Sequence, residues 1–111
     1  MVSFRNLDIP LILNGKEMTG RPVDFKIKTE KWHTAMSVRI KGGFGRIFVD
    51  YTFIKKIGDL SPKEIKMLGY SSIEEYLSEP YNKGLTEDNE KLFIHWSKFK
   101  PNWKNIKQIL G

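Results

Sequence analysis

The stretch that decides the fold is RIFVDYTFIKKIG, residues 46–58, which is rich in β-branched and aromatic residues. Such residues suit a pleated, half-buried surface, so the stretch predicts a β-strand. Upstream, MSVRIK (36–41) and DFKIK (24–28) alternate apolar with polar residues, which is typical of two further strands. We expect KGGFGR (41–46) to form the turn before the long strand. Three strands in series predict a curled antiparallel sheet or a small barrel.

Short helices are predicted on both sides of these strands. Asp8 is placed to cap a first helix that Gly15 ends, because glycine tolerates left-handed geometry. SPKE (61–64) and SSIEEYLSE (71–79) each place a Glu three residues after a Ser, the pattern of a capping box. They predict two more helices that end near Gly69 and Pro80 and that bury Ile65, Ile73, Tyr76 and Leu77.

The C-terminal part of the chain predicts one more strand and one more helix. KLFIHWSKF (91–99) alternates as a closing strand does. In the tail, Asn102 is a possible cap, and the spacing places Trp103, Ile106 and Leu110 on the buried side of a short helix. At 111 residues, the chain fits a single domain.

Composition narrows the class of protein. Without cysteine, the chain has no disulfide and no thiolate metal site, and no run of residues is apolar enough for a membrane span, so we expect a cytoplasmic protein. The net charge of +6 is segregated: residues 1–58 carry +6, residues 59–90 carry −5, and residues 91–111 carry +5. A fold that joins the two basic ends would present the basic face of a nucleic-acid-binding protein, although a solvated lysine-rich surface is the alternative.

Two segments in this order carry a family resemblance: LILNGKEMTGR (11–21), and GDLSPKE (58–64) followed by GYSSIEEYL (69–77). With the late strand, they resemble the ASCH domain family over about residues 9–97, which leaves 98–111 as an extension. The resemblance implies an α+β fold: a small PUA-like β-barrel of about five to six mostly antiparallel strands with short flanking helices. It also implies a cleft for RNA or a nucleotide beside the G-K-x-x-T-x-R turn.

Some small members of that family are amidohydrolases of N4-acetylcytidine, and the resemblance places their Lys and Thr at Lys16 and Thr19 and the following arginine at Arg21. A lysine of lowered pKa can take the proton of a threonine hydroxyl, so this pair suits nucleophilic catalysis. The chain departs from the pattern at Leu68, where the family has a catalytic Glu. Glu64 and Glu74 lie about a helical turn or more away along the chain, and Glu17 is a possible substitute.

A second basic stretch, KIKTEKWHTAM (26–36), combines cations with an aromatic ring, as contacts to single-stranded RNA do. A core tryptophan under a basic loop is the alternative for Trp32. His33 and His95 have no acidic or sulfur partner at ligand spacing, so we expect no metal site and no cofactor. The residues expected to bind RNA or a nucleotide are Lys16, Thr19, Arg21, Lys26, Lys28, Lys31, Trp32 and Arg39.

Three functions follow as hypotheses. The first is a monomeric module that binds RNA, such as tRNA or a single strand, or a modified nucleoside. The second is a hydrolase, either of an acylated cytidine or of RNA, with Lys16 and Thr19 catalytic. The third is an interaction module that uses the acidic helix around Glu74 and Glu75.

Overall fold

The protein is built on a five-stranded sheet, and the longest strand of this sheet contains most of the stretch 46–58. A computed structural model describes residues 1–38 and 40–110, without the side chain of Ile40. The strands are β1 (Val2–Phe4), β2 (Met18–Arg21), β3 (Lys31–Ser37), β4 (Ile40–Lys56) and β5 (Glu90–Pro101). Arg39, which was expected to contact RNA, lies outside the described residues.

The sheet is mixed and curls into a half-barrel, with the strand order β1-β3-β4-β5-β2. β1 pairs in parallel with β3, whereas the other three pairs of neighbours are antiparallel. Register shifts in β4 bend the long ladders that it forms with β3 and β5. The predicted α+β class and curled sheet are therefore confirmed.

The glycine-rich segment 41–46 lies inside β4, so its prediction as a turn was wrong. The chain reverses earlier, since Ser37 already pairs with Ile40, and the predicted strand over 36–41 is divided between two strands. At Gly43 the φ angle is 79°, and a Cβ atom there would lie 2.4 Å from the carbonyl oxygen of Ala35. The glycines therefore permit a close, irregular approach between β4 and β3.

The alternating segment 24–28 was also predicted wrongly, because it forms no ladder. The backbone N–H of Phe25 donates instead to the carbonyl of Pro22 in a turn. Phe25 and Ile27 still pack, partly buried, against the core. The alternation reflects two side chains that face inward from a coil.

In the described part of the chain, four α-helices flank the sheet: α1 (Asp8–Leu13), α2 (Pro62–Met67), α3 (Ile73–Leu77) and α4 (Trp103–Leu110). The predicted capping box at Ser61 and Glu64 is present, and the Ser72 hydroxyl caps α3. Asp8, however, is the first residue of α1 and not its cap; its carboxylate pairs with Arg5. None of the helices in the described part of the chain is long and apolar enough to cross a membrane.

The last helix has a different buried side from the one predicted. Asn102 does cap α4, through its side-chain oxygen and the N–H of Asn105. Ile106 is buried, but Trp103 is 55% exposed and Leu110 is 50% exposed. One turn of contact with the sheet is enough to hold the helix, so its ends face solvent.

Two apolar clusters fill the half-barrel, and β5 contributes to both. One contains Phe4, Ile47 and Trp96. The other lies under α2 and α3 and contains Met18, Tyr76 and Phe93. The candidate site lies where β2 and α1 meet this second cluster.

Candidate functional site

The end of α1 fixes the position of Lys16. Gly15 has a φ angle of 112°, its N–H donates to the carbonyl of Ile12, and the N–H of Lys16 donates to that of Leu11. This is the Schellman arrangement that ends many helices, and it turns the chain directly into β2. Lys16 is consequently buried, with 4% of its surface exposed.

The buried ammonium group of Lys16 has a backbone partner. Its Nζ donates to the carbonyl oxygen of Leu68 at 2.5 Å and lies 5.7 Å from the ring centroid of Tyr70. Burial lowers the pKa of Lys16 to about 8; the negative charge of Asp8 opposes this, and the positive charges of Arg21 and Arg5 add smaller effects in the lowering direction. A lysine with this pKa can accept a proton near neutral pH.

Thr19 and Arg21 lie two residues apart on β2 and are hydrogen-bonded to each other. The guanidinium group donates to the Thr19 hydroxyl at 2.8 Å, to the carbonyl of Gly20 at 2.8 Å and to that of Ser3 at 2.6 Å. Burial lowers the pKa of Arg21. No carboxylate of the described residues forms an ion pair with Arg21, so its charge is held by neutral oxygens.

Lys91, near the start of β5, is a second buried cation, beside the half-buried Arg21, and was not predicted. Its Nζ donates to the Asn82 side-chain oxygen at 3.1 Å and lies 5.5 Å and 5.7 Å from the ring centroids of Tyr76 and Tyr81. Burial, together with the charge of Arg21, lowers the pKa of Lys91 to about 8. A lysine at the start of a strongly apolar strand was the available sequence signal.

Three tyrosines surround these cations. The hydroxyls of Tyr70 and Tyr81 are 3.0 Å apart, and the rings of Tyr70 and Tyr76 meet edge to face at 5.4 Å. The Tyr76 hydroxyl is buried and has no hydrogen-bond partner among the described residues. Tyr76 approaches β2 closely at Gly20, where a Cβ atom would lie 2.7 Å from that hydroxyl.

Two carboxylates border the same region, and both pair with Arg5. Asp8 lies 3.3 Å and Glu79 lies 3.4 Å from its guanidinium nitrogens. Arg5 also lies 4.3 Å from the ring centroid of Tyr81. A cavity of about 210 Å³ lies beside Asp8 and is lined by Ser3, Phe4, Arg5, Asp8, Thr19, Gly20, Arg21 and Tyr81. Lys91 lies close to Gly20 and Tyr81, whereas Lys16 lines a second cavity of about 160 Å³ and interacts electrostatically with Asp8 and Arg21. We call the 210 Å³ cavity together with Lys91 and Lys16 the cationic cleft.

The three carboxylates considered from the sequence lie elsewhere. Glu64 binds Lys55 and the N–H of Ser61, and Glu74 is exposed on α3. Glu17 extends toward His95, 3.7 Å away. Leu68 itself is buried, so in place of an acidic side chain its position supplies a backbone carbonyl to Lys16.

His95 has acidic partners that the sequence did not reveal. Its Nδ1 lies 2.7 Å from an Asp50 carboxylate oxygen, and the ring stacks on Tyr51 at 4.5 Å. A separate cavity of about 590 Å³ is bordered by Glu17, Tyr51 and His95. Strand pairing creates this neighbourhood, since Tyr51 is directly opposite His95. The described residues contain no group of three or more potential ligands that could hold a metal ion.

The second predicted stretch does not join the cationic cleft. Lys26 and Lys28 are exposed on the coil before β3, and Lys31 is exposed at its first position. Trp32 lies on the outer face of the sheet, 5.6 Å from Phe48 in an edge-to-face contact. The structure thus places Thr19 and Arg21 on one cavity, keeps Lys16 within electrostatic reach of Arg21, and separates all three from Trp32.

Comparisons with known proteins give no identification. No protein-family model matches the chain, and no curated protein or solved structure shows a significant match to it.

Proposed function

We propose that the cationic cleft binds a nucleotide, either free or as part of an RNA strand. The observation that carries this proposal is a group of three desolvated cations: Lys16 and Lys91 are buried and Arg21 is half-buried, and none of them forms an ion pair with a carboxylate of the described residues. Burying a charge without a counter-ion is costly, and groups perturbed in this way concentrate at functional sites. An anionic ligand would supply the missing charge.

Phosphate is the anion that these groups suit best. A guanidinium group binds phosphate oxygens through two parallel hydrogen bonds, and a lysine adds a compact charge beside it. Arg21 lines the cavity, and Lys91 contacts Gly20 and Tyr81, which also line it. We place the phosphate between Arg21 and Lys91.

The remaining walls suit a base. Tyr81 is 46% exposed and offers a ring for stacking, while Asp8 and Glu79 can accept hydrogen bonds from an exocyclic amino group. A volume of about 210 Å³ can enclose a base, and the sugar and phosphate of the nucleotide would extend toward solvent. The resemblance to the ASCH family and its PUA-like barrel supports the same ligand class, since its implied site residues Lys16, Thr19 and Arg21 adjoin one cleft.

Calorimetric titration with CMP, UMP, AMP, GMP and inorganic phosphate tests this proposal. We expect one nucleotide to bind, and Arg21→Gln or Lys91→Met to weaken it at least about tenfold, because each removes a charged contact to phosphate. Lys26→Gln is the matched control, since it removes an exposed lysine from the coil after β2. Equal binding by all four proteins, or no binding of any nucleotide, would overturn the proposal.

A second candidate function, hydrolysis of an acylated nucleobase, is favoured by the hydrogen bond from Arg21 to the Thr19 hydroxyl. A cation that donates to this oxygen stabilises its deprotonated form, and Lys16, whose pKa is about 8, is a base within the same cleft. Thr19 would lose its proton to neutral Lys16 and form an ester bond with the acyl carbon. The C–N bond to the nucleobase would break as Lys16 returns the proton to the leaving amino group, and water would then hydrolyse the ester to release the acid and restore Thr19. For this step, Lys16 has to exchange its bond with Leu68 for one with Thr19.

Turnover of N4-acetylcytidine, followed by chromatography, tests the hydrolase, and a mixed RNA pool tests cleavage of RNA. We expect Thr19→Val and Lys16→Met to abolish turnover while nucleotide binding by Thr19→Val persists. If the unmodified protein forms no product from either substrate, the cleft is a binding site alone.

A further inference from the structure

The outer surface of β3, β4 and β5 carries a regular grid of six side chains. Strand pairing aligns Trp32 with Phe48 and Lys98 in one row, and Thr34 with Arg46 and Lys100 in the next. Residues paired across antiparallel strands, and residues two apart along a strand, share a face of the sheet. The intervening row includes the buried Ile47, which faces the core. We call these six residues the aromatic-basic face.

Cations lie over the aromatic rings of this face. Lys100 Nζ is 4.7 Å and the Arg46 guanidinium carbon is 5.5 Å from the ring centroid of Trp32, and Lys98 Nζ is 5.6 Å from that of Phe48. None of the three cations forms an ion pair within the part of the chain that the structure describes. The face therefore combines three exposed, uncompensated charges with two aromatic rings.

The second row continues into a groove. A cavity of about 510 Å³ adjoins it, lined by Thr34, Gly42, Gly45, Arg46, Lys100, Pro101, Asn102 and Trp103. Trp103 is 55% exposed at the start of α4. Arg46 and Lys100 thus lie between two tryptophans, one on the sheet and one on the helix.

We propose that the aromatic-basic face, with this groove, is a docking surface for single-stranded nucleic acid. Basic groups that follow a backbone and aromatic rings that stack on unpaired bases are the two components of such surfaces. A base that stacks on Trp32 would displace Lys100, which would then be free to contact a phosphate. None of the residues of this surface belongs to the cationic cleft, so the inference does not rest on the proposed function.

Fluorescence anisotropy with labelled oligouridine and oligothymidine of about 12 nucleotides tests the docking surface. We expect Lys98→Gln with Lys100→Gln to weaken binding by about tenfold or more and to reduce the slope of log affinity against log salt concentration by about 1.4, since each lysine neutralises one phosphate of a single strand. The matched control is Lys63→Gln with Lys66→Gln, which removes the same charge from exposed positions of α2.

Tryptophan emission provides an independent readout. In a Trp103→Phe protein, the remaining tryptophans are Trp32 and the buried Trp96, so quenching by the oligomer reports a base near Trp32. We expect quenching, and we expect the control pair Lys63→Gln with Lys66→Gln to leave it unchanged. The proposal is overturned if the control pair weakens binding as much as the lysine pair does, if polyglutamate competes as well as the oligomers, or if Trp32 emission does not change.

Discussion

The ammonium group of Lys16 donates a 2.5 Å hydrogen bond to the backbone carbonyl of Leu68, the residue that follows α2. A carbonyl dipole satisfies one of the three N–H donors of the lysine, but it does not neutralise the charge. With Arg21 adding to the positive potential, the free protein holds a destabilising group in its interior. This cost should lower the free energy of unfolding.

We predict that the free energy of unfolding rises with pH between about 8 and 10 and that Lys16→Met reduces the rise. The pKa of Lys16 is about 8 in the folded protein, against an ordinary value of 10.5. In that pH range the unfolded chain binds more protons, so raising the pH favours the folded state. At pH 7, Lys16→Met should be neutral or stabilising by about 1–3 kcal/mol. Urea unfolding at several pH values measures both effects.

The control is Lys66→Met, at an exposed position of α2, which should leave the pH dependence unchanged. In the Lys16→Met protein, part of the rise in the free energy of unfolding should remain, because the pKa of Lys91 is also about 8. Measurements should stay below pH 10. Burial raises the pKa of Tyr70 and Tyr76, so above pH 10 the folded protein keeps protons that the unfolded chain has lost, and the free energy of unfolding falls as the pH rises. A flat profile in the unmodified protein would contradict the prediction.

A second prediction concerns the contact between Gly20 and Tyr76. Gly20→Ala places a Cβ atom 2.7 Å from the Tyr76 hydroxyl, so we expect a loss of about 1–3 kcal/mol and weaker nucleotide binding. Tyr76→Phe removes the hydroxyl that has no partner among the described residues and should be neutral or stabilising. In the double variant, the cost of Gly20→Ala should fall by more than half. Additive free energies from chemical denaturation would refute the steric explanation.

The hydrogen bond between Asp50 and His95 gives a third prediction. Asp50→Ala leaves the Nδ1 of a largely buried imidazole without its 2.7 Å partner, and we expect a loss of about 1–3 kcal/mol. Asp50→Asn keeps an acceptor and should lose less. Asp24→Ala, at an exposed position in the turn after β2, serves as the control for removing a negative charge. Thermal unfolding that ranks Asp50→Ala with Asp24→Ala would show that the contact contributes no stability.

The glycines of β4 allow a fourth test. Gly43→Ala combines a φ angle of 79° with a Cβ atom 2.4 Å from the Ala35 carbonyl oxygen. Gly84→Ala has a similar φ angle, 87°, but nothing within 4 Å of the new atom. We expect about 1 kcal/mol of destabilisation at Gly84 from backbone conformation alone, and at least twice as much at Gly43. Equal losses in urea unfolding would mean that β4 and β3 can separate at this point without cost.

Local signals in the sequence were reliable where short-range hydrogen bonds decide the structure. The capping box of Ser61 and Glu64 and the helix end at Gly15 formed as predicted, because their donors and acceptors lie within a few residues of one another. Alternation was less reliable. The alternation in 24–28 correctly indicated two partly buried, inward-facing side chains. A strand, however, also requires a neighbouring backbone with which to pair.

The sequence by itself determined the long strand β4, the capped helices, the segregation of charge and the placing of Lys16, Thr19 and Arg21 at the end of α1. Tertiary structure alone decided which distant groups meet them. Asn82 binds Lys91, the Leu68 carbonyl meets Lys16, and Tyr76 approaches Gly20. These contacts depend on how α2 and α3 pack on the curled sheet, and no local pattern encodes them, because the energy of burying a charge depends on its entire three-dimensional surroundings.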